Sequence, residues 1–221
     1  MTVSSLPLRH LLILLACAAM GWGLSGCSRP SPPAAPPPPL TAAQQAAAIA
    51  RGKVIAAETF SVLSSNLQSA IASGGVSNAL PFCSLAASPL TTAVAEQHGA
   101  KVRRVTHKPR NPAARASAAE TAVLDQFRAA LQPGQPPPPL ATNWVAGQAT
   151  FLAPIVLSHA LCLQCHGEPE RDLTSENLAL IRRLYPQDEA VGFKSGELRG
   201  AWRIDLPLAT LQTPSASPTA K

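Results

Sequence analysis

Between Thr41 and Ser73 the apolar residues Ala56, Phe60, Leu63, Leu67 and Ile71 recur at spacings of 4, 3, 4 and 4. That is one stripe on a helix, so the segment predicts a long amphipathic helix. Gly74-Gly75 ends it. Leu80 to Ala87 contains Pro81 and Cys83 and reads as a turn leading into a second helix. Ser88 caps that helix, Pro89 takes its first position and Gly99 follows its end. Lys101 to Thr106 alternates as a strand does. Ser117 and Glu120 form a capping box that opens a helix through Leu131, and Pro133 to Pro139 is a Pro-rich loop. A strand is expected around Ala149 to Leu152. Thr174 caps a helix with Leu178, Ile181 and Leu184 inward, which Pro186 stops. Trp202, Ile204 and Leu206 alternate to one side of a terminal strand over Ala201 to Leu208. No internal repeat is apparent. The expected layout is one domain over residues 41–211, with 212–221 a loose tail.

Composition adds one constraint. Hydrophobic residues make up 46% of the 221 residues, charged residues 14% and aromatics 4%, which excludes a disordered acidic chain and a charge-rich coiled coil. A core of Ala, Val and Leu is thin, and something else has to fill it. After residue 26 no apolar stretch of ~20 residues is apparent, against a polytopic membrane protein.

The N-terminus reads as an export signal. Arg9 and His10 precede the apolar run Leu11 to Leu24, and small residues follow. Leu24-Ser25-Gly26-Cys27 resembles the bacterial lipobox, in which cleavage leaves a lipidated Cys27 at the new N-terminus. An ordinary signal peptide containing a Cys is the plainer alternative. Residues 27–40 are then the anchor and a Pro-rich linker. As polyproline II, at ~3.1 Å per residue, Ser28 to Leu40 spans roughly 35–40 Å. Ser28 is not the Asp that retains enteric lipoproteins at the inner membrane, so the expected location is the periplasmic face of a bacterial membrane, with the outer membrane first. Removing residues 1–26, which hold Arg9 and no acid, takes the net charge from +6 to +5. Export removes most of the case for nucleic acid as the partner of that charge.

Five cysteines are an awkward number for an oxidising compartment. Cys17 leaves with the signal and Cys27 takes the lipid. Cys162-Leu163-Gln164-Cys165-His166 is a CxxCH pattern. Two residues between the cysteines let both sulfurs meet the two vinyl groups of one haem, and the adjacent His reaches the iron. A zinc site would want two more ligands at recognisable spacing, and no second CxxC or HxxxH exists. The chemistry implied is haem c.

The residues leave the second axial ligand open. The only methionines are Met1 and Met20, both in the signal segment, so His/Met ligation is excluded in the mature chain. His98, His107, His159, a Lys, Tyr185, Cys83 and an open position remain. Cys83 is the one thiol without an assignment, for which burial and iron ligation are equally good explanations. The cations of Lys101 to Arg110 read either as a solvated strand face or, at Arg104 and Arg110, as partners of the haem propionates.

Several segments together carry a family resemblance. They are Val76 to Pro89 with Cys83, Glu96 to Arg104, Arg110-Asn111-Pro112, Cys162 to Gly167, Tyr185 to Phe193 and Gly196 to Trp202. The chain is similar over these to the Tll-type c-haem domain family, along roughly Thr41 to Leu208. The resemblance implies an α+β, PAS-like fold: an antiparallel sheet flanked by helices, with covalent haem. It implies that Cys162 and Cys165 attach the haem, that His166 is the proximal ligand and that Cys83 is the distal thiolate. Ala113 to Ser117 and the loop 133–139 depart from the family pattern.

Three functions are compatible. The first is a membrane-anchored redox protein passing single electrons to an unidentified partner; a thiolate ligand would lower its reduction potential. The second is a redox or gas sensor acting through a partner protein, since the chain carries no output region of its own. The third is a peroxidase-like enzyme, against which six-coordinate iron speaks. Electron transfer, rather than catalysis, is the reading placed first.

Overall fold

The computed structural model describes residues 36–211. The expected signal peptide, Cys27 and the tail over 212–221 lie outside the described residues. Pro36 to Leu40 belongs to the folded unit: the Asn143 amide donates to the Pro38 carbonyl, and Leu40 packs on the main core. The expected linker is therefore docked at its end.

Helix α1 runs from Ala42 to Gln97 and is a hairpin. Thr41 and Gln44 cap its start reciprocally. At Gly75, φ is +73°, a conformation costly for a residue with a Cβ, and the chain turns back there. The Asn78 side chain donates to the Ala70 carbonyl across the turn at 2.8 Å. His98 Nε2 meets Glu58 at 2.7 Å, and Arg51 donates to the His98 carbonyl at 2.6 Å, so the two arms lie side by side. The break expected at Gly74-Gly75 is present. The turn expected at Leu80 to Ala87 is not: that stretch is helical through Pro81 and Pro89. Proline deletes single hydrogen bonds to the preceding turn, but Ala79 and Leu80 are buried and hold the helix in place.

The first arm keeps part of the expected stripe, with Ala56 buried and Leu63 packed on the main core, but turns Phe60 outward. Ala48, Gly52, Ile55 and Thr59 are buried, whereas Phe60 is 61% exposed. The reason is closeness. A Cβ at Gly52 would sit 2.2 Å from the Phe151 ring, so the helix meets the sheet through its smallest residues rather than its bulkiest. By length and composition α1 could cross a bilayer, with an 18-residue window of mean hydropathy 1.2. Its apolarity is largely alanine, and Ala48 and Ile55 pack against the sheet.

Four antiparallel strands form that sheet in the order β1-β4-β3-β2: β1 Lys101–Val105, β2 Leu140–Thr142, β3 Gln148–Val156 and β4 Leu198–Pro207. One face turns Ala149, Phe151, Trp202, Ile204 and Leu206 to α1. The other turns Val105, Leu152 and Ala201 to α2, Ala118–Ala130, through Val123, Leu124 and Phe127. The architecture is α+β. Two short helices complete it: α3, Ala160–His166, and α4, Ser175–Leu184, capped by Thr174 as expected.

Glu120 fastens α2 to the sheet. Its side chain is fully buried. One oxygen accepts from the Ser117 N–H at 2.8 Å, closing the expected capping box; the other accepts from Arg203 at 2.8 Å and from Arg103. Burial alone would raise the pKa of this carboxyl, but the Arg203 and Ser117 hydrogen bonds and the Arg103 charge outweigh it and hold it below its ordinary value. Its contribution to stability is therefore present above the ordinary glutamate pKa of 4.5 and lost as pH falls through the lower folded value. Glu120→Ala leaves two guanidinium groups without their shared partner and should cost about 3–5 kcal/mol in denaturant unfolding. Glu120→Gln should flatten the acid limb of stability against pH. A variant as stable as the wild type at neutral pH would contradict this role.

A candidate haem-binding hollow

The Cys162, Cys165 and His166 side chains come from α3, which is less than two turns long. His159 is not a candidate ligand there, because its Nδ1 accepts the Leu161 N–H at 3.1 Å as the N-cap of this helix. Cys162 and Cys165 are three residues apart and so lie on one side of α3. Both are free thiols and half-buried. Cys162 packs on the cluster of Leu157, Ala190 and Phe193, and Cys165 on that of Leu80, Leu173, Leu180 and Ile181.

His166 is held in one tautomer. Its Nδ1–H donates to the Ala190 carbonyl at 2.8 Å, which leaves the Nε2 lone pair free. Burial first, and then the Arg199 and Arg110 charges, hold its pKa well below the ordinary histidine value, so the ring is neutral at pH 7. A neutral imidazole with one bare nitrogen is the form that binds iron. The segment after α4 holds it there. Phe193 N–H donates to the His166 carbonyl at 2.9 Å, and the Phe193 ring meets the imidazole edge-on at 6.4 Å. Asp188 Oδ1 accepts the Ala190 N–H at 3.0 Å and the Arg110 Nε–H at 3.0 Å. Arg110 in turn donates to the Cys165 carbonyl at 2.7 Å.

Cys83 reaches the same place from the second arm of α1. It lies one turn beyond Leu80, which packs on α4, and Ser77 donates to Asn177 of α4 at 3.1 Å. Leu80, one turn before Cys83, lies in the same apolar cluster as Cys165, the neighbour of His166, and Arg104 and Arg110 act on both Cys83 and His166, so the two side chains face one charged neighbourhood, the hollow. Burial pushes the Cys83 thiol up, partly offset by those two charges. Arg104 is accessible to solvent, yet the surrounding protein lowers its pKa first of all causes.

Tyr185 also borders the hollow, with Arg110 5.6 Å from its ring centre. His98 and His107 do not: His98 pairs with Glu58, and His107 Nε2 lies 3.3 Å from Asp125 under α2. The Pro-rich loop lines a separate cleft of about 730 Å³ with Lys108, Val156 and Phe193, which contains none of the four candidate ligand residues. Three residues at the hollow escaped the sequence reading as individuals: Asp188, Phe193 and Arg199. Each falls inside a segment that carried the family resemblance, but nothing in charge or spacing marks them out.

The donor set suits a haem. An imidazole with Nε2 free, a thiol from another element, two further free thiols at attachment spacing and guanidinium groups without counter-ions are what an iron porphyrin with two carboxylates would use.

Comparison with known proteins agrees with the residue pattern. The family model described as Tll0287-like (Tll0287) matches residues 40–207. Among solved structures, the crystal structure of the cyanobacterial heme-protein Tll0287 is similar at 27% sequence identity. The match covers 58% of this chain and 73% of that one, with a TM-score of 0.43. No curated protein matches. With 168 consecutive residues matched from Leu40 to Pro207, the chain belongs to the Tll0287-like family.

Proposed function

We propose that this chain is a c-type haem protein of the bacterial periplasm that carries single electrons. Cys162 and Cys165 would attach the porphyrin through thioether bonds, and His166 Nε2 and the Cys83 thiolate would bind its iron. The observation that carries the reading is the His166 imidazole, fixed through Nδ1 on Ala190 with Nε2 left free in the hollow that Cys83 also borders. Membership of a family named for Tll0287, a protein described as a cyanobacterial heme-protein, supports it. The antiparallel sheet with helices on both faces supports a fold of loosely PAS-like type.

The haem supplies the redox chemistry when bound. The protein fixes the ligand tautomer, surrounds the site with apolar side chains and sets its charge. With His166 and Cys83 both bound to it, the iron would have no coordination site left for substrate, which favours electron transfer over catalysis.

Absorption spectra of the haem-matured protein test this reading. The ferric wild type should show a thiolate signature that Cys83→Ala loses, and His166→Ala should disturb the spectrum or abort maturation. Spectra unchanged by both substitutions would contradict the ligand assignment. A ferrous wild type that ignores carbon monoxide fits electron transfer; prompt binding of the gas would move the assignment to sensing.

Lipidation of Cys27 would anchor the domain at the membrane through its Pro-rich segment. Cys27→Ala should move the protein from the membrane fraction to the soluble one in a native host. Continued membrane association would overturn the lipid anchor.

A further inference from the structure

The charges around the hollow do not balance. Arg104, Arg110 and Arg199 act on one another there, and the acid among the described residues that offsets them is Asp188. Asp188 is committed to Arg110, in a pair whose side chains are 4% and 13% exposed. Arg104 and Arg199 make no ion pair with any described carboxylate, which leaves two positive charges uncompensated. Elsewhere in this protein the opposite holds: Arg103 and Arg203 share the buried Glu120.

Both free cations are positioned by structure. Arg104 stands directly across from Trp202 in the β1/β4 register, with its guanidinium 6.0 Å from the indole ring centre. Arg199 is the extra residue of a β-bulge, between the pairs Ile155/Gly200 and Val156/Leu198. A bulge re-aims the side chain it carries. Arg199 Nη1 donates to Thr106 Oγ1 and to the Lys108 carbonyl, both at 3.0 Å, and the group lies 5.4 Å from the Phe193 ring centre. Its Nε is buried with no partner. The unused donors of a guanidinium fork suit a carboxylate.

We propose that Arg104 and Arg199, rather than Arg104 and Arg110, hold the two haem propionates, and that Arg110 is a positioning residue that ties α3 to the Tyr185–Phe193 segment. The assignment rests on the haem reading above. Two carboxylates cancel the two uncompensated charges, while the charge of Arg110 is already met by Asp188, which takes its Nε and Nη2 donors, and Nη2 also donates to the Cys165 carbonyl.

The test uses the full-length haem-matured protein and its Arg104→Gln, Arg199→Gln, Arg199→Lys and Arg110→Gln variants. Covalent haem in the wild type is verified first by its pyridine haemochrome spectrum; failure at that step overturns the haem reading itself, and this assignment with it. Where haem is present, resonance Raman reports the propionate bending band and electrochemistry the reduction potential. Reduction adds negative charge to the haem, so losing a nearby cation should lower the potential. Arg104→Gln and Arg199→Gln should each shift the propionate band and lower the potential. Arg199→Lys, which keeps the charge, should lower the potential less than the Gln variant. Arg110→Gln should leave the propionate band in place and instead disturb the His166 ligand spectrum. A propionate band that moves in Arg110→Gln but in neither of the other Gln variants would overturn the proposal.

Discussion

The close approach of α1 to the sheet is the contact on which the rest depends. Gly52 lets the helix settle against Phe151, and that settling fixes the height and direction of the first arm. The hairpin at Gly75 then returns the second arm alongside it, tied by Glu58–His98 and Arg51. Cys83 is carried to the hollow by a helix whose partner arm is locked to the sheet and whose own face is locked to α4 through Leu80 and Ser77. A site assembled in this way is rigid on the Cys83 side because two cores hold it, not one.

The His166 side is built differently. α3 is too short to be stable alone and buries no residue completely. Its orientation comes from hydrogen bonds: Ala190 and Phe193 on His166, Gly192 on Gly167, and Arg110 on Cys165. Asp188 sits at the centre of that set and converts the charge of Arg110 into a fixed backbone position at Ala190. The two halves of the site thus rely on different physics, apolar packing behind Cys83 and polar connectivity behind His166. Between them lies a hollow with surplus positive charge, which a folded protein tolerates poorly unless an anion fills it.

What the sequence made legible follows from which signals are local. The Thr174 cap, the capping box at Ser117, the glycine break at 74–75 and the alternation of Trp202, Ile204 and Leu206 depend on neighbours within a few residues, and all appear in the structure. The helix through Pro81 and Pro89 did not, because burial of Leu80 against α4 outweighs the local preference for a turn. Phe60 was misplaced because hydrophobicity ranks large residues as inward, while a helix pressed onto a sheet needs small ones. β2, only Leu140–Thr142, is too short to show a period. The cysteines and His166 were readable as a motif. Arg199 was not: a bulge is a property of strand register, and register is written in the pairing of β3 with β4, not in either strand.

Convergence of Cys83 and His166 on one metal is the central claim, and X-ray absorption at the iron edge of the ferric haem-matured protein tests it without any substitution. The account predicts one sulfur scatterer in the first coordination shell beside the porphyrin and imidazole nitrogens. A shell of nitrogen and oxygen alone would contradict it and leave Cys83 as a buried thiol beside the haem.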